Sequence, residues 1–204
     1  MITTSHDIVG VLLAAGRGTR FGSDKLLHPL GDGTPMAVAA ARRLRRACPR
    51  CVTVLRPDQQ VLAGLLAAEG VLVSFDDQVS QGMGRSLAAA VLATPEAQGW
   101  LIALADMPFI APGTIECVAE QLAQGASIVA PCHQGRRGHP VGFSRRWLEA
   151  LSALQGDQGA RDILVAHADE VQLWDTQDPG VLIDVDTPDM LIIGAQSPPG
   201  RSAP

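Results

Sequence analysis

A mainly parallel, twisted β-sheet with helices on both faces is the fold class that three observations predict. Runs of β-branched and apolar residues recur along the chain. They are continuously apolar rather than alternating, which marks strands covered on both sides. Between them lie amphipathic stretches of helical period, joined by short connections. That order is the pattern of right-handed crossovers in a three-layer α/β fold.

The elements follow in order. The first run, IVGVLLAA (8–15), leads into a glycine-rich loop. A helical stretch over about 35–47 precedes CVTVLR (51–56), and one over about 58–68 precedes VLVSF (71–75). Helical stretches over about 84–93 and 112–124 flank WLIALA (100–105), and SIVAPC (127–132) closes the regular part. The last third is less regular. GHPVGF and VQLWD read as extra strands, SRRWLEALSAL and GARDILVAHAD as helices. VLIDVD (181–186) reads as another strand, followed by a helix start with Thr187 as cap and Pro188 in the first turn. After Ala195 the segment QSPPGRSAP is polar and proline-rich, so disorder is expected there. With no internal repeat and no linker, residues 1–195 read as one domain and 196–204 as a tail.

The 204 residues are 47% hydrophobic, enough for one core that buries roughly 70% of the unfolded surface. The net charge of −5 and the lack of a basic face argue against nucleic acid. MITTSHD lacks the charged and apolar parts of a secretory signal, and no apolar run approaches the ~18 residues of a membrane helix. A cytoplasmic protein with reduced cysteines is expected, with no membrane partner. Cys48 and Cys51 form one C-x-x-C, half of a zinc or redox spacing that Cys132-His133 can complete. Nothing in the spacing demands it. A helix end and a strand start account for the pair equally simply.

Ligands of open parallel sheets bind outside the carboxyl ends of the strands. Chemistry is therefore sought in GRGTRFGSDK, DDQVSQGMGRS, DMP and DTPD. The first is not a Walker A loop, because Lys25 lies three past Gly22, and Phe21 breaks G-x-G-x-x-G. NAD binding is thus disfavoured. Gly16 and Gly18 still permit close backbone approach, and inward N–H groups with Arg20 and Lys25 suit phosphate oxygens. Asp106 ends a buried apolar run, where a carboxylate is costly unless paired or metal-bound. Asp184 and Asp186 alternate onto one face of their expected strand, so either can reach the crevice, or the pair can serve only the next helix. Ser86 is no hydrolase nucleophile, because Ala88 stands where G-x-S-x-G needs glycine; a first-turn helix role is its plain alternative. His139 in RRGHPVGF can be a base, a ligand, a donor or a solvated loop residue.

LAAGRGTRFGSDK (13–25) resembles the signature of nucleotidyltransferases that transfer NMP from an NTP onto a phosphate. SQGMGRSL, ALADMP, GRRGHPVGF, GDQGAR and DVDTPDM narrow the resemblance to the MocA-type branch of the MobA-like NTP transferases, the molybdenum cofactor cytidylyltransferases. It spans about Val9 to Leu191, with Gly18 where many members have Ser and Phe21 where Met is common. The resemblance implies a Rossmann-like nucleotidyltransferase fold. It implies CMP transfer from CTP to the terminal phosphate of molybdopterin, with a recipient molybdoenzyme or its chaperone downstream. Arg20, Lys25 and Asp106 are then the catalytic residues. Leu13, Ala14, Ala15, Gly16, Gly18, Gly82, Met83 and Ser86 join Arg20 and Lys25 around the nucleotide. Asp106 and Asp186, less so Asp184, are implied as ligands of Mg²⁺ or Mn²⁺. Arg137, Gly138, His139, Pro140 and Arg161 are implied beside the pterin substrate. The alternatives are a guanylyltransferase, an enzyme of sugar or isoprenoid phosphates, a non-catalytic cofactor carrier and, last, an NAD-dependent oxidoreductase. Ala15 favours cytosine, because a glycine there would leave room for a purine.

Overall fold

The computed structural model describes residues 7–16, 24–157, 159–187 and 189–191. The expected tail at 196–204 and Pro188 lie outside them. The expected α/β architecture is present. Strands β1 (Ile8–Leu13), β2 (Cys51–Leu55), β3 (Leu72–Phe75) and β4 (Gly99–Leu104) run parallel, in the spatial order β3-β2-β1-β4. The sheet continues through β7 (Val141–Ser144), which is antiparallel to β4 and to β5 (Ile128–His133). β6 (Arg136–Arg137) forms a short hairpin with β5, and β8 (Val171–Asp175) pairs parallel with the other edge of β5. Reversal of β7 matters for the site. Val141, at its start, pairs with Ile102, near the carboxyl end of β4. The residues that precede β7 therefore share an edge with those that follow β1 and β4.

Helices α1 (Met36–Ala47), α2 (Gln60–Ala68) and α4 (Pro112–Ala123) provide Leu44, Leu62, Leu66, Ile115 and Leu122 to one core. Helices α3 (Met83–Leu92) and α5 (Leu148–Ser152) provide Leu87, Val91 and Leu151 to the other. Successive residues of one strand serve both. Leu101 and Ala103 of β4 face the first core, while Trp100 and Ile102 face the second. Two-sided burial explains why the runs of β1, β2, β4 and β5 are continuously apolar; the VLVSF run, expected to be covered on both faces as well, is instead the edge strand β3 and largely exposed. Each fully buried large side chain contributes roughly 1.5–3 kcal/mol. The only polar atom of the Trp100 side chain is satisfied, because Nε1 donates to Thr94 Oγ1 at 3.0 Å.

Cys48 caps the C-terminus of α1 and Cys51 opens β2, and burial pushes both thiols up to about 12. Such thiols are poor nucleophiles and poor ligands. Among the described residues no group of three or more His, Cys, Asp and Glu side chains converges as a metal site, and Cys48 and Cys51 belong to none. Nor is any described helix long and apolar enough to cross a membrane.

The strand expected over VLIDVD does not form. A 3-10 turn covers Pro179–Leu182, and Val185 donates its N–H to the Asp106 carbonyl at 2.9 Å instead of joining the sheet. Asp178 directs this path. Its buried carboxylate accepts from Gly180 N (2.9 Å), Ala111 N (2.7 Å) and Thr114 Oγ1 (2.9 Å), pinning the segment to the start of α4. Gly180 lies so close that a Cβ there would be 2.4 Å from the Phe109 carbonyl oxygen. The GARDILVAHAD helix is short: α6 covers Arg161–Ala166 and buries no residue, and a 3-10 turn follows.

Asp178→Ala should lower unfolding free energy by about 3 kcal/mol, because three bonds to one charged group are lost and two donors are left buried. Urea denaturation measures this. A change below about 0.5 kcal/mol, the size of an ordinary surface substitution, would show that the segment is held elsewhere.

Candidate active site

The carboxyl ends of β1 and β4 stay in register past the strands, with Ala105 donating its N–H to the Leu13 carbonyl at 3.1 Å. A cleft of about 470 Å³ opens there. Of the residues singled out in the sequence, Leu13, Ala14, Ala15, Gly16, Lys25, Gly82, Met83, Ser86 and Asp106 line it. Gly18, Arg20 and Gly22 lie outside the described residues. Among the described residues nothing lies within 4 Å of a Cβ placed on Gly16, so none of them crowds this backbone.

Lys25 sits in a 3-10 turn, Lys25–Leu27, and is only 6% exposed. Its Nζ lies 2.9 Å from Asp106 Oδ2 and 2.8 Å from Asp186 Oδ1. Burial works against the ammonium, but the hydrogen bonds and charges of the two aspartates outweigh it and raise its pKa above 10.5. The two carboxylates therefore converge on one cation, although no strand carries Asp186. Asp184, expected on the same face, is instead exposed and outside this contact.

The N-terminus of α3 forms the opposite wall. Gly82 is its cap residue, with φ of 136°. A Cβ on Gly82 would lie 2.3 Å from the Gly156 backbone, and Gly84 donates its N–H to the Gly156 carbonyl at 2.8 Å. The loop before α6 thus lies across this helix end and brings Asp157 to the cleft. Ser86 is in the first turns of α3 but caps nothing. It is 3% exposed, lines the cleft, and its Oγ is buried without a partner among the described residues. A buried hydroxyl left in that state is costly unless a ligand completes it.

Gly138, His139 and Pro140 lie between β6 and β7, outside the lining of that cleft. His139 donates its backbone N–H to the Val181 carbonyl at 3.0 Å, and a Cβ on Gly138 would be 2.4 Å from that same oxygen. The imidazole Nδ1 is buried without a partner among the described residues. Burial first, then the Arg137 charge, push its pKa down to about 4, against the opposing pull of Asp184. Desolvation and the neighbouring charge of Arg161 also lower Arg137. Arg137 thus lies within electrostatic reach of both Arg161 and His139, two cations beside an imidazole held neutral by burial.

Sequence reasoning missed Arg56 and Gln59. They stand at the end of β2 and hold backbone carbonyls of Ala14, Ala15 and Gly16. Arg56 reads as the last residue of an apolar run and Gln59 as an ordinary helix start, so neither carries a signal. Asp157 was also not singled out.

The model of the MobA-like NTP transferase domain matches residues 10–171. Nicotine blue oxidoreductase of Paenarthrobacter nicotinovorans is 31% identical over 194 residues, covering 88% of this chain and 92% of its own. Among solved structures, Rv0371c from Mycobacterium tuberculosis H37Rv superposes with a TM-score of 0.80 at 29% identity, over 96% of this chain and 100% of that one. The manganese complex of Rv0371c superposes with a TM-score of 0.74 at 28% identity, over 94% and 100%.

His139 predicts a pH dependence. Its folded pKa of about 4 lies below the unfolded 6.5, so the unfolded chain binds more protons between these values. Stability from this residue is complete above pH ~6.5 and is lost as pH falls toward 4, to a total of roughly 3 kcal/mol. His139→Gln should flatten that part of the curve. Urea denaturation of both proteins at several pH values from 7.5 to 4.5 measures it; parallel curves would refute it.

Proposed function

The chain belongs to the MobA-like NTP transferase family, and on that premise we propose that it transfers CMP from CTP to the terminal phosphate of molybdopterin, releasing pyrophosphate. The observation that carries the reading is the convergence of Lys25, Asp106 and Asp186 beside the open backbone at Gly16. A triphosphate needs both features: a backbone it can approach and a charged centre that can neutralise it.

An acceptor phosphate oxygen attacks the α-phosphorus while the bond to the pyrophosphate oxygen breaks in line. The nucleophile is mostly dianionic at pH 7, so it needs no base. Repulsion between two polyanions is the obstacle, and the protein answers it by positioning and by positive charge. Asp106 and Asp186 reach one point from two segments and offer hard carboxylate oxygens, which suits Mg²⁺ or Mn²⁺. These two residues would hold the ion, which supplies charge neutralisation on the phosphates. The manganese complex of the Rv0371c relative supports an ion of this class. Lys25, released from the carboxylates, and Arg20 then serve the phosphates. Ser86 Oγ donates to the nucleotide. Arg137, His139 and Arg161 receive the acceptor, with His139 neutral at physiological pH and two cations for its phosphate. A cytoplasmic setting fits a reaction on these soluble substrates.

The relative named nicotine blue oxidoreductase favours a second reading, hydride transfer in the same cleft. NADH oxidation without pyrophosphate release would select it. A carrier would bind the cofactor and release no pyrophosphate with any nucleotide.

Pyrophosphate release with purified molybdenum cofactor and CTP, GTP or ATP tests the proposal. Asp106→Ala should abolish turnover and weaken metal-dependent CTP binding; activity within a few-fold of the parent would place the charged centre elsewhere. For nucleotide choice, Ala15 lines the cleft and one carbon of fit is worth ~1–3 kcal/mol. Ala15→Gly should raise kcat/KM for GTP by roughly tenfold and leave CTP nearly unchanged. A parent that prefers GTP, or a ratio unmoved by the substitution, would remove cytosine from the proposal.

A further inference from the structure

The carbonyls at the head of the glycine loop are all engaged, and two side chains from one neighbouring segment engage most of them. Gln59 Nε2 donates to the Ala14 carbonyl at 3.0 Å, and Gln59 is itself fixed because its Oε1 accepts the Arg56 backbone N–H at 3.0 Å. Arg56 Nη1 donates to the Ala15 carbonyl and reaches the Gly16 carbonyl at 3.5 Å. Arg56 Nε is held by Asp58 Oδ1 at 3.0 Å. Gln59 is 5% exposed and the Arg56 side chain 11%, so both clamping residues are largely interior, while the Asp58 carboxylate that holds Arg56 is exposed.

A trans peptide plane sets each N–H opposite the carbonyl that precedes it. With the Ala14 and Ala15 carbonyls drawn toward Gln59 and Arg56, the N–H groups of Ala15 and Gly16 point the other way. Both residues line the cleft, and neither N–H has a partner among the described residues. A cation on a carbonyl also polarises the peptide and strengthens its N–H as a donor. The guanidinium itself is turned to the β2 side and spent on carbonyls and Asp58.

We propose that Arg56, locked by Gln59, is a positioning residue that presents the Ala15 and Gly16 amides to acceptor atoms of the nucleoside part of the ligand, and so sets nucleotide affinity and base selectivity. This rests on the nucleotide reading above. The charged centre at Lys25 marks the phosphate end of the cleft. The Ala15 end, with Leu13, Val79 and Met83, is the apolar end suited to a base.

The test uses the full chain, its Arg56→Ala and Arg56→Lys variants, and calorimetric titration with CTP, GTP and inorganic tripolyphosphate in the presence of Mg²⁺. Arg56→Ala should weaken CTP binding by about tenfold or more and narrow the CTP-to-GTP ratio. Tripolyphosphate binding should change by less than about twofold, because no phosphate contact is removed. Arg56→Lys, which keeps a cation able to reach one carbonyl, should recover part of the CTP affinity. Equal losses for CTP and tripolyphosphate would make Arg56 a phosphate ligand and overturn the proposal. CTP affinity unchanged in both variants would overturn it too. If Arg56→Ala unfolds in a thermal melt, Arg56→Lys decides: a normal CTP-to-GTP ratio with reduced melting temperature assigns a purely structural role. A parent chain that binds tripolyphosphate but no nucleoside triphosphate overturns the nucleotide reading itself, an outcome distinct from a selective parent indifferent to Arg56.

Discussion

One buried ammonium holds the cleft together. Lys25 comes from the turn after the glycine loop, Asp106 from the end of β4, and Asp186 from a segment that never joins the sheet. They meet at Nζ. Burying the Lys25 ammonium is expensive, and it is offset by two carboxylates that keep part of their surface in solvent, so removing either leaves the cation less well compensated. Hence the neighbouring backbone is tied with unusual care: Val185 to Asp106, Ala105 to Leu13, and the 178–180 turn to α4 through Asp178. The same contact carries a functional cost. A lysine shared by two acids is not yet available to a phosphate, so the charged centre must rearrange when an anionic ligand and its counter-ion arrive.

Strands and helices of the first 130 residues were legible because burial on both faces leaves an unbroken apolar record. IVGVLL, CVTVL and WLIAL could be little else. VLIDVD has the same look and is not a strand. Val181 enters the core from within the 3-10 turn and Val185 packs with Met36 and Phe109, and hydrophobicity does not distinguish this burial from a ladder. The deciding residue, Asp178, acts through one local donor, Gly180, and two that are distant in sequence, Ala111 and Thr114, and no local pattern reveals the distant pair. The misreading put Asp184 and Asp186 on one face, whereas the real path turns Asp186 inward and leaves Asp184 exposed.

Within the site, residues preceded by an apolar run were easy to find. Nine of those expected around the nucleotide or at the metal line one cleft. Arg56 and Gln59 were invisible because their partners are carbonyls, and a carbonyl has no side-chain identity to match. His139 drew notice as a histidine beside two arginines, and only the family pattern gave it a role. A rule that looks after each strand overlooks it, because β7 runs backward and delivers its beginning to the shared edge.

The glycines at 82 and 84 set a limit on how such a cleft can diversify. Each faces the Gln155–Gly156 backbone at a distance no side chain can occupy. Neither position can therefore drift by point substitution without a compensating loop change. Sequence variation that retunes the ligand must fall on other residues lining the cleft: Ala15, Val79, Met83 and Ser86, none of which is a glycine wedged against backbone. A lineage exploring new substrates would keep the two glycines and the 155–157 loop as a fixed block, and record its history in those four positions.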